Sequence, residues 1–299
     1  MLATRFWIAF LVMSLLLLTR KVSVSFAGKP KGELLLLALL QPVLYFYCES
    51  FGILHTNATF AGVIIALSPI ASIALGALFL REYPTRIQKV FSVLPIVGVI
   101  LITLSGSSMG IIKPLGFLLL VGTCMSAAAY RIVSRKAADH YTAFERTYAM
   151  MAMGAVVFGA DTLIQNRQDL AALVTPFTSV YFVAAVIFLG VLCSVVGFMC
   201  VNFSMACLPV AKASVFASLT TVVSIFAGVL LLSEPIAPIS VVGSVLIIVG
   251  IWKVSAEPES KTSPNQQELI PNALPSEAEA PLTEAACMPI DTPEPETIQ

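Results

Sequence analysis

Gln41, Tyr45 and Glu49 recur at four-residue intervals within an otherwise apolar run, so a continuous helix would carry an amide, a phenol and a carboxylate on one face. Such a stripe can hydrogen-bond a polar solute, bind an amine or carry a proton. A charged side chain at the centre of a lipid-embedded helix costs roughly 2.5–3.5 kcal/mol, so the stripe should face protein or water. The competing reading places Glu49 near the outer end of its run, where it is simply hydrated. Ser68 stands beside Pro69 in the middle of a second run, and Thr220 and Thr221 occupy the corresponding place further along. Proline frees a backbone carbonyl, and neighbouring hydroxyls can bond either that carbonyl or a solute. Tyr130 and Asn202 add polar groups within two more runs. These eight residues are the candidate cavity contacts; helix packing is the alternative role for the hydroxyls and the amide.

Enzyme chemistry finds little footing. Gly106-Ser107-Ser108-Met109-Gly110 fits the spacing of a hydrolase nucleophile elbow. That elbow requires a strand before it and a helix after it, whereas this stretch joins two apolar runs. Asn57-Ala58-Thr59 and Asn202-Phe203-Ser204 match a glycosylation pattern in places that abut or enter a run. Cys193, Cys200 and Cys207 repeat every seven residues with no histidine or carboxylate beside them, a pattern for packing rather than metal binding. His55 and His140 stand alone at run ends. Zinc-protease, phosphate-loop and dinucleotide motifs are missing. The expectation is a protein without catalytic residues, metal, cofactor or nucleic-acid partner.

The elements that hold these residues follow from composition. Of 299 residues, 58% are hydrophobic and 11% charged, whereas a soluble domain carries about 25% charged residues. The chain cannot cover itself in water, and continuous apolar runs read as helices spanning a bilayer. Nine spans are predicted, at about 4–19, 34–54, 57–80, 89–105, 115–133, 146–164, 180–206, 211–232 and 238–254, the first, fourth and last being short. The first resembles a signal peptide with a cleavage site at Ser25-Phe26-Ala27, but Arg20 and Lys21 follow the apolar run instead of preceding it, which favours a retained helix.

Net charge is zero only because two regions cancel. Beyond Ser255 nine acids face the single base Lys261, and eight prolines break any regular pattern, so 255–299 reads as a disordered, solvated tail. The remainder carries 16 bases against 8 acids. Alternate connections, with Lys212, Lys253 and the tail's Lys261, hold 14 of the chain's 17 bases, among them Lys29, Lys31, Arg81, Arg131, Arg135, Lys136 and Arg146. The other side holds Arg5, Lys113 and Arg167. By the positive-inside rule the basic side and the tail are cytoplasmic, and Met1 lies outside.

A shift of 152 residues lays 61–98 on 213–250 without a gap. Ala61/Ala213, Ser72/Ser224, Gly76/Gly228, Glu82/Glu234, Ser92/Ser244 and Gly98/Gly250 are identical, together with a series of Val, Leu and Ile pairs. Apolar bias accounts for matching aliphatics, but not for a shared Glu and two shared glycines in one register. Glu82 and Glu234 end their helices, where satisfying the turn or gating a path are both open; Gly98 and Gly250 are read as structural. Five spans separate the copies, an odd number, so the two units face opposite ways. Such inverted repeats commonly support alternating access, with the substrate site near mid-membrane. The second unit holds five spans and the first four, and the counterpart of 115–133 is the one without a match.

The doubled segments HTNATFAGVIIALSPIASIALGALFLREYP and LPVAKASVFASLTTVVSIFAGVLLLSEPI resemble the EamA-like family of the drug/metabolite transporter superfamily, and the resemblance covers about 2–254. It implies ten helices in two inverted halves, here 1–105 without its leading helix and 115–254 in full. It also implies secondary export or exchange of amino acids, related metabolites or amphipathic compounds. Lacking a nucleotide site, active transport would draw on a proton, ion or substrate gradient. Two alternatives stay open: a nucleotide-sugar or phosphorylated-sugar antiporter, for which only Lys212 offers a buried base, and a truncated membrane protein that transports nothing. The expected setting is a bacterial inner membrane, with lipid and a small-molecule substrate as partners and a homodimer as one open assembly.

Overall fold

The computed structural model describes residues 1–19, 24–26, 28–56, 58–81, 83–105, 113–168, 175–219, 222–223 and 238–256. Among them every regular element is helical. We number the main helices α1 (Leu2–Leu18), α2 (Lys31–Leu54), α3 (Phe60–Leu80), α4 (Val93–Ser105), α5 (Pro114–Ala137), α6 (Ala143–Gln165), α7 (Val180–Cys207), α8 (Val210–Phe216) and α9 (Pro238–Ala256). Of these, α2, α3, α5, α6 and α7 are long and apolar enough to cross a membrane, whereas α1 and the apolar stretch Val241–Val254 are shorter. Glu82, Glu234, Thr220, Thr221 and nearly all of the acidic tail lie outside the described residues.

Local sequence sets the helix ends. Thr142 caps α6 by accepting from the Glu145 backbone N–H at 3.2 Å, and the Glu145 carboxylate accepts from the Thr142 N–H at 2.9 Å. This reciprocal box satisfies two donors that a helix start otherwise leaves open. Thr85 and Gln88 build the same box ahead of the short helix Arg86–Phe91, which leads into α4. Pro114 opens α5, where a missing N–H costs nothing.

Proline also breaks a helix. In α2 the backbone at Gln41 turns extended (φ −143°, ψ 119°) before Pro42, and the turns across Leu39–Leu44 widen. The Leu40 carbonyl accepts from the Tyr45 N–H across the widened turn and from the Ser126 hydroxyl of α5 at 2.7 Å. Gln41 thereby leaves the helical register that Tyr45 and Glu49 keep, because four-residue spacing defines a face only in an unbroken helix. Widened turns recur at Gly76–Leu80 in α3 and Phe188–Val196 in α7.

The helices pair along their lengths, α1 with α6, α2 with α5 and α4 with α9, while α5 runs through the middle and also meets α3, α7 and α8. One core gathers Phe6, Met13, Leu37, Met150, Met151 and Phe158, with the Phe6 and Phe158 rings stacked at 5.4 Å. A second holds Val99, Val215, Val222, Ile247, Ile251 and Val254. Large apolar side chains such as Leu15, Leu118, Val156, Val245 and Trp252 point outward, as a lipid-facing surface requires.

The α4–α9 crossing depends on glycine. A Cβ on Gly98 would lie 2.5 Å from the Gly243 carbonyl oxygen and 2.8 Å from Ile247, and one on Gly250 would strike Pro95 and approach the Phe91 carbonyl. Under the 152-residue shift, Phe91 corresponds to Gly243 and Pro95 to Ile247. The two glycines therefore make the same contacts with the roles of the helices exchanged.

At the basic end, the Glu145 carboxylate ties three segments together. It accepts from Lys29 Nζ at 2.8 and 2.9 Å and from the Ser25 N–H at 2.8 Å, besides capping its own helix. Lys29 also lies over the Tyr141 ring. Burial, with the Glu145 and Glu33 carboxylates, holds the Tyr141 phenol above its ordinary value and so in its neutral form.

Candidate functional site

Two polar clusters occupy the bundle, both organised by α5. In the first, Tyr130, Ser134, Arg146, Thr147 and Asn202 are all buried. Four-residue spacing places Tyr130 and Ser134 on one face of α5, and Asn202 of α7 receives both hydroxyls at its side-chain oxygen, at 3.0 and 2.8 Å. Its amide nitrogen donates to Thr147 at 2.9 Å. The Arg146 guanidinium donates to the Ser134 carbonyl and hydroxyl at 2.6 and 2.8 Å and to the Asn202 carbonyl at 2.7 Å. Nε reaches the Thr142 carbonyl at 3.4 Å. Each polar group finds a partner within the cluster, as burial demands.

The second cluster is less saturated. Tyr45 donates to Glu49 at 3.2 Å, and Arg5 of α1 lies within electrostatic range of both. Arg5 donates from Nε to the Ser194 hydroxyl at 2.7 Å, and its guanidinium sits 5.2 Å from the Phe46 ring centre. Arg131 of α5 donates from one terminal nitrogen to the Ser72 hydroxyl of α3 at 2.9 Å. Tyr45 and Cys124 lie within its electrostatic range, and among the described residues no carboxylate pairs with it. Ser72 is fully buried and itself donates to the Ser68 carbonyl at 2.8 Å. Two guanidiniums and one carboxylate thus meet around Tyr45.

The residues singled out from sequence separate accordingly. Tyr45 and Glu49 lie in the open cluster. Ser68 borders it through its backbone. Tyr130 and Asn202 lie in the saturated one, and Gln41 sits at the break in α2. Gly98 and Gly250 lie at the α4–α9 crossing. Arg5, Arg131 and Arg146 entered the sequence analysis as bases outside the membrane or in a basic belt. Arg5 and Arg131 fall inside apolar spans and Arg146 opens one; that placement was the available signal. Among the described residues no group of His, Cys, Asp and Glu is arranged to hold a metal.

The family model for EamA-like transporters matches 1–104 and again 114–256. The chain belongs to the EamA-like transporter family. Relatives of this EamA-like chain include an uncharacterized transporter, YcxC, of Bacillus subtilis (strain 168), 34% identical over 264 residues, 87% of this chain and 85% of that one. An uncharacterized transporter of Archaeoglobus fulgidus is 27% identical over 208 residues, 69% and 70% of the two chains. A probable terminal-alkyne amino-acid exporter of Streptantibioticus cattleyicolor is 27% identical over 209 residues, 69% and 67% of the two. A solved crystal structure superposes with TM-score 0.68 at 15% identity, covering 85% of this chain and 87% of that one, a likeness of fold. As an EamA-like protein the chain is an integral membrane transporter of the drug/metabolite class and not an enzyme.

Proposed function

We propose that this EamA-like protein is a secondary carrier that exports or exchanges a small metabolite, an amino acid or a related amphipathic compound, by alternating access between two inverted units, 1–105 and 115–254. The observation that carries this reading is the open cluster of Arg5, Tyr45, Glu49 and Arg131, whose polar groups converge from α1, α2 and α5 inside an apolar bundle. Charge in such a place is retained where it meets a solute or its coupling ion. The reciprocal contacts of Gly98 and Gly250 support the inverted arrangement, because a two-fold relation in the membrane plane would make each glycine pack on the counterpart of the other's neighbours. The printed name of the Streptantibioticus relative, a probable amino-acid exporter, supports the substrate class. The bias of basic residues supports a bacterial inner membrane with the tail in the cytoplasm.

Glu49→Gln tests the site. In everted vesicles the variant should insert at the normal level while substrate movement falls about tenfold or more, ~1.4 kcal/mol of lost stabilisation. Wild-type rates in that variant would remove Glu49 from the path. Impermeant labelling of single cysteines near Glu82 and Glu234 tests the inverted arrangement, since labelling of both from one face of intact cells contradicts it.

A further inference from the structure

We infer that Arg131 is the anchor for a substrate carboxylate and that Glu49, oriented by Tyr45, receives the ammonium of the same molecule, so the carrier selects zwitterionic amino acids. This deepens the transport reading above and rests on it.

The charge balance points to an anion. Arginine stays protonated in proteins, so burial cannot neutralise it by proton loss. Glu49 lies within electrostatic range of Arg5, and that pair offsets one positive charge. Arg131 is left with the Ser72 hydroxyl as its hydrogen-bond acceptor and, among the described residues, no carboxylate. Its planar fork carries five donors and matches a carboxylate with two parallel bonds. Ser72 is fully buried on α3 and fixes one arm of that fork.

The contrast with Arg146 separates a site from a strut. Arg146 is fully buried where Arg131 is partly so, and among the described residues it too has no ion-pair carboxylate, but four protein oxygens accept from it. Arg131 has one. An incoming carboxylate would supply acceptors that the bundle withholds, and the gain is large because the pair forms away from bulk water.

Glu49 offers the complementary end. Tyr45 donates to one of its oxygens, and the second makes no bond to a described residue. Tyr45 donates to Glu49 and lies within electrostatic range of Arg131, so both recognition groups lie near one phenol. A molecule with ammonium and carboxylate on one carbon fits this polarity, whereas a sugar phosphate would bring its dianion against Glu49.

The test uses the purified full-length protein in phospholipid vesicles. Binding is read by thermal shift and movement by counterflow, with the standard L-amino acids, glucose 6-phosphate and, for each amino acid that binds, its C-terminal amide and N-acetyl derivative as probes. In the wild type the free amino acid should bind about tenfold or more tightly than its amide, a difference of ~1.4 kcal/mol. In Arg131→Gln that ratio should fall to near unity. Loss of preference over the N-acetyl derivative should appear in Glu49→Gln. Ser72→Ala removes the same link between α5 and α3. If Arg131 merely ties those helices, Ser72→Ala and Arg131→Gln will lower stability alike and leave the acid-to-amide ratio unchanged, which overturns the assignment. Tighter binding of glucose 6-phosphate than of any amino acid, or movement of solutes without regard to a carboxylate, overturns it too while leaving the carrier reading intact. A wild-type protein that moves no solute at all would instead overturn the carrier reading.

Discussion

Arg146 and Arg131 are both guanidiniums held inside an apolar bundle with no ion-pair partner among the described residues, and the protein treats them in opposite ways. Arg146 lies at the start of α6 where the Thr142 and Ser134 carbonyls, the Ser134 hydroxyl and the Asn202 carbonyl converge on it. Arg131 lies on α5 facing α3 and meets one hydroxyl. The difference teaches that burial of charge does not by itself mark a binding site in this fold. What marks it is hydrogen-bonding capacity that the protein leaves unused, since a saturated cluster gives a solute nothing to gain.

The comparison breaks most readily at Asn202. Replacing it with Leu strands the Tyr130 hydroxyl, at about 1–3 kcal/mol, and takes one bond of about 1 kcal/mol each from Ser134, which keeps Arg146, and Thr147, which keeps the Ala143 carbonyl. Asn202→Leu should therefore lower stability by about 3 kcal/mol or more, seen as reduced yield and a depressed melting transition in detergent, with transport lost as a consequence. A variant that melts normally but fails to transport would place Asn202 with the open cluster instead.

A smaller effect is expected where neither cluster is touched. Gly98→Val and Gly250→Val push side chains into backbone across the α4–α9 crossing, and overpacking of this kind costs about 1–3 kcal/mol. Because the two contacts are reciprocal, the two losses should be similar. Measuring both by thermal unfolding calibrates what a purely structural defect does to transport.

Tyr45→Phe sharpens the other side. It removes the hydrogen bond to Glu49 while keeping the ring that packs edge-on against Phe46. The melting transition should stay within a degree or two of wild type. Initial transport rates should fall several-fold, about 1 kcal/mol for one hydrogen bond. The smallest change is Ser126→Ala, which takes one hydroxyl from the Leu40 carbonyl at the break in α2; unfolding should register about 1 kcal/mol or less. If Ser126→Ala reduces transport more than Tyr45→Phe does, the break and not the open cluster limits the cycle.

Much of the architecture was legible before any coordinates. Among the described residues the predicted apolar runs are helical, because a chain with so little charge must bury its backbone polar groups within its own segments. Thr85 with Gln88 and Thr142 with Glu145 carry the spacing that starts a helix. Legibility failed where spacing met an interruption: Gln41 is four residues from Tyr45, yet Pro42 lies between them and takes Gln41 out of register. It failed again for arginines. Counting bases along connections assigns Arg131 and Arg146 to one rim and Arg5 to the other, whereas each side chain reaches inward to a hydroxyl or carbonyl on a helix distant in sequence.

By itself the sequence determined the helical membrane class, the 152-residue internal match and the matched places of Gly98 and Gly250 within it. These follow from composition, period and register along a single chain. Only the tertiary structure decided which polar residues spend their hydrogen bonds on one another and which keep some in reserve. That division depends on distances between helices, since a donor at Arg131 or Arg146 is satisfied or not according to what α3 and α7 bring within 3 Å of it.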